Sequence, residues 1–278
     1  MDVIHSVAEL RARLKREPNN CFVPTMGNLH EGHIQLVKLA KPKAACTVVS
    51  IFVNRMQFGP TEDFERYPRT LEGDCEKCAR AGVDVVFAPN EKEIYPEPQT
   101  FAVEPADLQN ILEGAVRPGH FRGVATVVLK LFNMVGPKSA IFGKKDYQQC
   151  RVLNTMVRQF SLPIEIILAE TVRADDNLAL SSRNAYLTPE ERAQAPQLYH
   201  ALAQMKGAIV AGNKDFVRMA LDAEAHLTQR GWLPDYISIR RQNDLQLPEP
   251  GDKALVILAA AKLGKTRLID NIELDLPG

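Results

Sequence analysis

Residues 45–53 read Ala-Cys-Thr-Val-Val-Ser-Ile-Phe-Val, a stretch that is rich in β-branched residues and almost wholly apolar. A strand of this composition is buried on both faces, which is typical of the middle of a parallel sheet. Shorter strand patterns lie at 21–24, 84–87, 139–142 and 164–168. Helical patterns separate these strands, and such alternation indicates right-handed βαβ units. The sequence therefore predicts an α/β fold with a parallel sheet.

The pattern changes after about residue 175. Helical patterns between the earlier strands lie at 32–40, 69–81, 122–135 and 146–160. Beyond residue 175, helical patterns come first and strand patterns follow: helices at 189–210 and 214–230, then strands at 236–240, 254–261 and 266–270. Helices followed by strands are typical of α+β architecture. We therefore expect a Rossmann-like nucleotide-binding domain at 1–174 and a smaller C-terminal α+β domain at 175–278.

Composition excludes several classes of protein. The 278 residues carry 34 Lys and Arg against 34 Asp and Glu, so the net charge is zero and binding to nucleic acid is not expected. The longest apolar run, Ala254 to Ala261, is far shorter than the roughly 18 residues of a membrane helix. The start at Met1 shows no basic segment before an apolar one, so we expect neither a signal peptide nor a membrane association.

Five cysteines, sparse and odd in number, are typical of reduced thiols in the cytoplasm. Cys75 and Cys78 form one C-x-x-C pair, which could be a redox or zinc pair or two neighbours on a helix. Because zinc needs two further ligands at similar spacing, we favour the second interpretation.

The most informative segment runs from Pro24 to His33, between a strand and a helix. A turn of this kind can direct main-chain N–H groups and a helix N-terminus at an anion. His30 and His33 lie three residues apart, so they share one face of the helix and each can donate a hydrogen bond to a phosphate oxygen. Gly32 lies between them and leaves room for a nucleotide. We interpret this H-x-G-H pattern as functional rather than as ordinary polar residues at a helix start.

Two further clusters are suited to the same anion. Gly143-Lys144-Lys145-Asp146 follows a strand, where a lysine can neutralise phosphate and a carboxylate can bind ribose hydroxyls. Leu180-Ser181-Ser182-Arg183 offers hydroxyls and a guanidinium. Alone, each could be a solvated turn, and together with the histidines they indicate one phosphate-rich ligand. Gln57 and Gln149 lie at or just beyond carboxyl ends of strands, where open α/β sheets bind ligands.

The chain resembles the pantothenate synthetase (pantoate–β-alanine ligase) family over almost its whole length. The resemblance is carried by Pro24–His33, Ser50–Asn54, Met56–Phe58, Tyr67–Thr70, Glu113, Arg117–Val124, Gly143–Gln149, and Leu178–Thr188. It implies an AMP-forming ligase. The pantoate carboxylate attacks the α-phosphate of ATP, pyrophosphate leaves, and the amine of β-alanine then displaces AMP from pantoyl adenylate to give pantothenate.

The resemblance also implies roles for particular residues. The implied catalytic residues are His33, His30, Lys145 and Arg183. The implied ATP-binding residues are Met26, Gly27, Asn28, Leu29, His30, Glu31, Gly32, His33, Gly143, Lys144, Lys145, Asp146, Val172, Leu180, Ser181, Ser182 and Arg183. Gln57 and Gln149 match the pantoate and β-alanine site. The metal is Mg²⁺, held mainly by the ATP phosphates with no protein ligand assigned. The family pattern implies a homodimer, and we expect the C-terminal domain to act as a lid that excludes water from the adenylate.

The chain departs from the family pattern at three positions. Arg55 stands where proline is usual, and we expect it to loosen the loop before Gln57. Lys144 stands where glutamate is common, which raises phosphate affinity or only alters the surface. Asn177 replaces a usual glycine, and asparagine tolerates the positive φ of such a turn. Two alternatives stay open: a nucleotidylyltransferase that stops at a nucleotidyl product, and a nucleotide-binding protein without turnover.

Overall fold

The computed structural model describes residues 1–60 and 62–277, and the chain divides into two compact units. The first unit comprises Met1–Lys144 and Val152–Glu170, and the second comprises Lys145–Arg151 and the segment from Thr171 onward. A short piece of chain after residue 144 therefore belongs to the second unit, although residues on both sides of it belong to the first.

A six-stranded sheet organises the first unit. Its strands are β1 (Asp2–Ile4), β2 (Asn20–Thr25), β3 (Cys46–Ile51), β4 (Val85–Phe87), β5 (Ser139–Gly143) and β6 (Glu165–Ala169). All pairs are parallel, and the order across the sheet is β1-β4-β3-β2-β5-β6. The predicted α/β fold is thereby confirmed, and β3 lies inside the sheet with Val48 and Val49 fully buried.

Helices connect these strands. They are α1 (Val7–Leu14), α2 (Glu31–Ala40), α3 (Leu71–Arg80), α4 (Glu91–Ile94), α5 (Leu112–Val116), α6 (His120–Val135) and α7 (Tyr147–Gln159). The sequence did not predict β1, α1, α4 or α5. The three helices have about two turns at most, and β1 has three residues, so none shows enough periodicity for a pattern to distinguish it from a loop. Cys75 and Cys78 both lie on α3, and both are free thiols.

The second unit contains a three-stranded antiparallel sheet, in the order β7 (Trp232–Arg241), β8 (Ala254–Leu263) and β9 (Thr266–Asp275). Its helices are α8 (Pro189–Gln194), α9 (Gln197–Val210) and α10 (Phe216–Thr228). Side chains from these helices, among them Leu202 and Leu227, pack with Trp232 and the buried face of β8 in one core. The predicted α+β character is confirmed.

Several predicted boundaries in the second unit were wrong: β9, for example, continues to Asp275 rather than ending at 270, and two further differences involve proline. The helix predicted at 189–210 is two helices, because Pro196 has no N–H for the helical ladder and its ring crowds the preceding turn. β7 begins at Trp232 rather than at 236, and it contains Pro234 at a shift in register before Tyr236, where a strand tolerates proline. Within residues 1–60 and 62–277, no helix has both the length and the apolarity to cross a bilayer.

Candidate active site

The first unit has a switch point between β2 and β5. Strand β2 pairs with β3 along all of Asn20–Thr25, but it pairs with β5 only through Cys21 and Phe22. The two strands are therefore joined only at their amino ends. The sheet order also reverses here, since the chain proceeds from β2 to β3 on one side and reaches β5 on the other. Open α/β sheets bind ligands at the carboxyl ends of strands flanking such a point.

The loop that leaves β2 at this point carries the H-x-G-H pattern. Gly27 has φ +84° and Asn28 has φ +49°, so two consecutive residues adopt the left-handed region that glycine and asparagine tolerate best. Helix α2 then begins at Glu31 with His30 as its N-cap. The loop turns the chain sharply from the strand into the helix and leaves both histidines at the helix start.

The two histidine rings and the helix start are joined by reciprocal hydrogen bonds. The main-chain N–H of Gly32 donates to Nδ1 of His30 at 3.1 Å, and the N–H of His30 donates to Nδ1 of His33 at 3.2 Å. The ring centroids are 4.1 Å apart. Because each Nδ1 uses its lone pair as an acceptor, each ring carries its proton on Nε2. The helix cap therefore fixes the tautomer that offers Nε2–H as a donor.

The structure corrects one prediction about this turn. The sequence predicted that main-chain N–H groups would face an anion. Six of these groups instead donate to protein atoms: those of Gly27, Asn28, Leu29, His30, Gly32 and His33. For these groups the prediction was wrong, because a buried carboxylate, a threonine hydroxyl, a main-chain carbonyl and the histidine rings take them up. These six main-chain groups are therefore already used within the protein.

The carboxylate is that of Asp74 on α3, a residue that the sequence did not single out. Its Oδ2 accepts from the N–H of Asn28 and its Oδ1 from the N–H of Leu29, both at 2.8 Å. Lys77, one turn further along α3, donates from Nζ to the carbonyl of Leu29 at 2.7 Å. A charged residue on a helix face gives no local signal of such a role, because the contact spans more than forty positions of sequence.

Gln57 lies in a short 3₁₀ turn after β3, and neighbouring side chains fix which way its amide faces. Nδ2 of Asn54 donates to Oε1 of Gln57 at 3.1 Å, while the hydroxyl of Tyr95 donates to Oδ1 of Asn54 at 2.7 Å. The Nε2 of Gln57 is 3.1 Å from the sulfur of Met26. The structure thus brings together the predicted residues Met26 and Gln57, and it presents the Gln57 amide as a donor.

His120 and Arg117 bind the main-chain carbonyl of Gln57. Nδ1–H of His120 donates to the Gln57 carbonyl at 2.9 Å, and Nε2 accepts from Arg117 at 3.1 Å. Arg117 also makes a two-point ion pair with Glu62, with distances of 2.7 and 2.6 Å. Burial, together with the neighbouring guanidinium of Arg117, lowers the pKa of His120 to about 4, so this ring is neutral at pH 7.

Other predicted positions in the first unit play different parts. The Leu29 side chain is buried in the core, so it serves the loop by packing. The Glu31 side chain lies along the outside of α2 and binds Gln35 at 2.7 Å and Lys38 at 2.9 Å. Gly143 ends β5, and the next residue, Lys144, pairs with Glu170 at 2.6 Å, which partly neutralises its added charge.

Arg55 begins the 3₁₀ turn that contains Gln57. Its guanidinium lies 4.0 Å from the ring centroid of Phe64 and 3.1 Å from a carboxylate oxygen of Glu65. These contacts hold the arginine against its neighbours, which opposes the loosening that we expected from the loss of proline.

In the second unit, β9 holds the segment that carries Lys145, Asp146 and Gln149. Nδ2 of Asn271 donates to the carbonyl of Lys145 at 3.0 Å, and the hydroxyl of Tyr147 donates to Glu273 at 2.9 Å. The side chain of Lys145 lies 3.5 Å from that of Asp146. Gln149 lies on the first turn of α7 and is half-buried. The predicted lysine is therefore positioned by residues more than a hundred positions later in the chain.

Val172 and Leu180 face each other across a short hairpin, where the N–H of Leu180 donates to the Val172 carbonyl at 2.9 Å. Asn177 has φ +73° at the tip, which confirms that asparagine can replace glycine in this turn. Arg173 ties the hairpin to β9 through a two-point ion pair with Asp270, at 2.7 and 2.8 Å. Asp270 and its neighbour on β9 thus anchor both the hairpin and the Lys145 segment.

The Ser-Ser-Arg sequence follows this hairpin directly. Ser181 caps a 3₁₀ turn at Ser182–Tyr186, with its hydroxyl accepting from the N–H of Arg183 at 3.3 Å. The side chain of Asn184 donates to the carbonyl of Ala179 at 3.0 Å, which closes the turn onto the hairpin. The structure therefore joins Val172, Leu180 and the Ser-Ser-Arg turn in one continuous piece of the second unit.

Comparison with known proteins identifies the family of the chain. The profile of the Pantoate-beta-alanine ligase family matches residues 2–273. The chain belongs to the pantoate–β-alanine ligase family. The pantothenate synthetase of Nitrosospira multiformis is 57% identical to it over 99% of this chain and 98% of the relative. The corresponding enzyme of Chromobacterium violaceum is 55% identical over 98% and 99%. The predicted family is confirmed.

Solved structures of pantoate–β-alanine ligases share the fold. Pantothenate synthetase from Thermus thermophilus superimposes with a TM-score of 0.93 at 45% identity, and the match covers 100% of both chains. The ligase from Francisella tularensis, described as a complex with β,γ-ATP and β-alanine, gives a TM-score of 0.83 at 35% identity over 98% of this chain and 97% of that one.

Proposed function

We propose that this chain condenses (R)-pantoate with β-alanine to pantothenate at the expense of ATP. In the first step a carboxylate oxygen of pantoate bonds to the α-phosphorus, and the bond to the bridging oxygen breaks to release pyrophosphate. In the second step the neutral amine of β-alanine bonds to the acyl carbon, AMP leaves with the acyl–oxygen bond pair, and the amine loses a proton. Adenylation is needed because a free carboxylate is a poor acyl donor.

One observation carries this proposal beyond family membership. His30 and His33 stand at the carboxyl end of a central parallel strand, and each is held with its proton on Nε2 by a main-chain donor at Nδ1. Two fixed N–H donors of this kind suit phosphate oxygens whose negative charge grows as pyrophosphate departs. Because the donors are oriented before ATP binds, little reorganisation is needed during the reaction.

We propose roles for the other predicted residues on the same basis. Gln57 donates from Nε2 to an oxygen of pantoate, because its Oε1 is already occupied by Asn54. Gln149 is proposed as the second amide for pantoate. Lys145 and Arg183 are proposed to balance phosphate charge, Ser181 and Ser182 to bind phosphate oxygens, and Asp146 to bind the ribose.

Mg²⁺ is proposed as the metal, held mainly by ATP. Among residues 1–60 and 62–277, no three His, Cys, Asp or Glu side chains gather as a metal site. We propose that phosphate oxygens and water supply most of the ligands of this ion, as they often do for Mg²⁺. When bound, such an ion would supply positive charge that offsets the negative charge developing on the phosphates.

The test is a product assay with purified protein, ATP, Mg²⁺, D-pantoate and β-alanine. We expect AMP, pyrophosphate and pantothenate in equal amounts, with AMP release dependent on β-alanine. Pyrophosphate without β-alanine-dependent AMP would instead favour an enzyme that stops at a nucleotidyl product. ATP binding by calorimetry with no product from the full mixture would favour a protein without turnover.

We also propose a homodimer in the cytoplasm. The family pattern suggests the dimer, and sedimentation equilibrium would test it against the 31.0 kDa mass of one chain. The five free cysteines, four of them buried, suit a reducing compartment, and localisation of a tagged chain would test that.

A further inference from the structure

We propose that Asp74, which takes no part in the reaction itself, is a positioning residue that holds the H-x-G-H loop in its active shape. The inference rests on the proposed function, because it concerns the same two histidines. It follows from the hydrogen bonds of the loop, from its two left-handed residues, and from the way that Asp74 is itself held.

The side chain of Asp74 is completely buried, and both of its carboxylate oxygens are used. One accepts from the main chain of Asn28 and the other from that of Leu29, each at 2.8 Å. Short bonds from neutral donors to an ionised acceptor are stronger than neutral pairs. A single carboxylate therefore clamps two successive peptide groups immediately before the histidine N-cap.

The carboxylate of Asp74 binds the loop where the backbone conformation is least favourable. Asn28 has φ +49°, a region that costs a non-glycine residue free energy and that persists only when the surroundings impose it. A side chain at Gly27 would be both strained, because φ is +84°, and crowded, because an added Cβ would lie 3.2 Å from Oδ2 of Asp74 and 3.1 Å from Cγ2 of Ile51. The carboxylate thus defines both the direction of the N–H groups and the space beside the glycine.

Two neighbours on the same helix segment fix the clamp. The Thr70 hydroxyl donates to Oδ2 of Asp74 at 3.1 Å, and Nζ of Lys77 lies 4.0 Å from Oδ1. Lys77 also donates to the Leu29 carbonyl at 2.7 Å, so the start of α3 holds an N–H and a C=O of the same loop residue. A rotation of the loop would break several of these contacts together.

A displacement of Leu29 would be transmitted to the two histidines through the main chain. The ring of His33 accepts from the N–H of His30, and the residue before His30 is the one that Asp74 and Lys77 hold. If Leu29 shifts, the His30 peptide turns with it and the reciprocal capping bonds lengthen. Both Nε2 donors then lose their fixed direction, although the hydrogen bonds of Asp74 go to the main chain and to Thr70.

The decisive variant is Asp74→Asn, since an amide of nearly the same shape has one acceptor oxygen where two are required. Its NH₂ group would face a main-chain N–H, so one of the two bonds is replaced by a repulsive contact. The matched control is Asp84→Asn. Asp84 also accepts a main-chain N–H, that of Thr47 at 2.8 Å, and a lysine at 3.1 Å, but it does so at the amino end of β3, the opposite edge of the sheet.

We expect Asp74→Asn to lower kcat for AMP release about 100-fold, the scale of an ångström-sized misplacement, with little change in the KM for β-alanine. Hydrogen exchange measured by mass spectrometry on peptides covering residues 26–33 should become about tenfold faster at the clamped amides. Asp84→Asn should leave both readouts near the wild-type values.

The outcomes separate this proposal from the function on which it rests. Wild-type protein that makes no AMP refutes the proposed function, and exchange at 26–33 then still decides whether Asp74 holds the loop. Full activity in Asp74→Asn overturns the inference. Lost activity with unchanged exchange at 26–33 also overturns it, because it would assign Asp74 a direct chemical part.

A milder variant covers the case in which Asp74→Asn fails to fold. Thr70→Val removes one donor to the carboxylate and leaves the two main-chain bonds in place, and Thr70→Ser keeps the hydroxyl. We expect Thr70→Val to lower kcat several-fold and Thr70→Ser to restore it. Equal kcat in the two variants and the wild type would contradict the clamp.

Discussion

Replacing Gly123 by alanine should separate helix stability from the placement of Gln57. Gly123 lies in the first turn of α6, where its Cα faces the 3₁₀ turn that carries Gln57. An added Cβ would lie 2.2 Å from the carbonyl oxygen of Met56 and 2.6 Å from the main-chain nitrogen of Gln57. Both atoms belong to the backbone, so no side chain can move aside to make room.

The magnitude follows from that distance. Ordinary contact begins near 3.4 Å, so the Gln57 turn must shift by roughly an ångström or α6 must tilt. Overpacking of this kind costs about 3 kcal/mol, at the upper end of the usual range, because the obstacle is main chain. Alanine returns about 1 kcal/mol of helix propensity. We expect a net loss of about 2 kcal/mol in the free energy of unfolding and a melting temperature lower by about 4–8 °C.

The same shift should weaken the use of pantoate. Displacement of the Gln57 amide by about 1 Å should lower kcat/KM for pantoate about 100-fold while that for ATP changes less. The control is Gly207→Ala on α9, where a Cβ meets no atom within 4 Å, and this variant should gain about 0.5–1 kcal/mol. A Gly123→Ala protein that melts with the wild type and keeps its pantoate KM would refute the reasoning.

Three further predictions concern a catalytic donor, a buried ring and a helix cap. His33→Ala should lose about 3–4 kcal/mol of transition-state stabilisation, measured as kcat/KM for AMP release, and near-normal kcat would remove His33 from the mechanism. The pKa of His120 is lowered from 6.5 to about 4, so the stability that its neutral ring contributes is complete above pH 6.5 and is lost as pH falls toward 4. Between pH 7 and pH 5 this loss is about 2 kcal/mol in denaturant unfolding, and His120→Asn should abolish that part of the pH dependence. Thr188→Ala breaks the capping box with Glu191 and should cost about 1 kcal/mol by thermal unfolding, whereas Thr188→Ser should cost little.

Sequence reasoning succeeded where the signal is local. The run at 45–53 predicted an inner strand because a strand that is buried on both faces is apolar and rich in β-branched residues throughout. β3 occupies 46–51 of this run. Asn177 was assigned to a left-handed turn because the family pattern has glycine at this position and asparagine tolerates the same conformation. The break between α8 and α9 was missed, although Pro196, a residue that interrupts helices, lies inside the helix predicted at 189–210.

It failed where a role depends on contacts between distant parts of the chain. Arg117 and His120 lie in a segment that carries the family resemblance, yet nothing in the letters shows that both hold the Gln57 carbonyl. In the sequence, Asn271 is an ordinary polar residue on a strand. Only the structure shows that its amide binds the carbonyl of Lys145. Residues such as these position others by binding main-chain groups. Because every residue type carries the same main-chain groups, the sequence does not show which ones are bound.

The H-x-G-H loop shows why this matters for chemistry. From the glycines alone, we expected a cradle of main-chain N–H groups, as in loops that bind phosphate through the backbone. In the structure six of those groups are used in holding the loop, and the helix cap decides the tautomer of the two imidazoles, which places the N–H of each ring on Nε2. A main-chain N–H can strengthen its bond as charge develops on the phosphate, whereas an imidazole can in addition take up or release a proton. The use of main-chain donors for internal order therefore leaves the side chains to respond to the changing charge of the substrate.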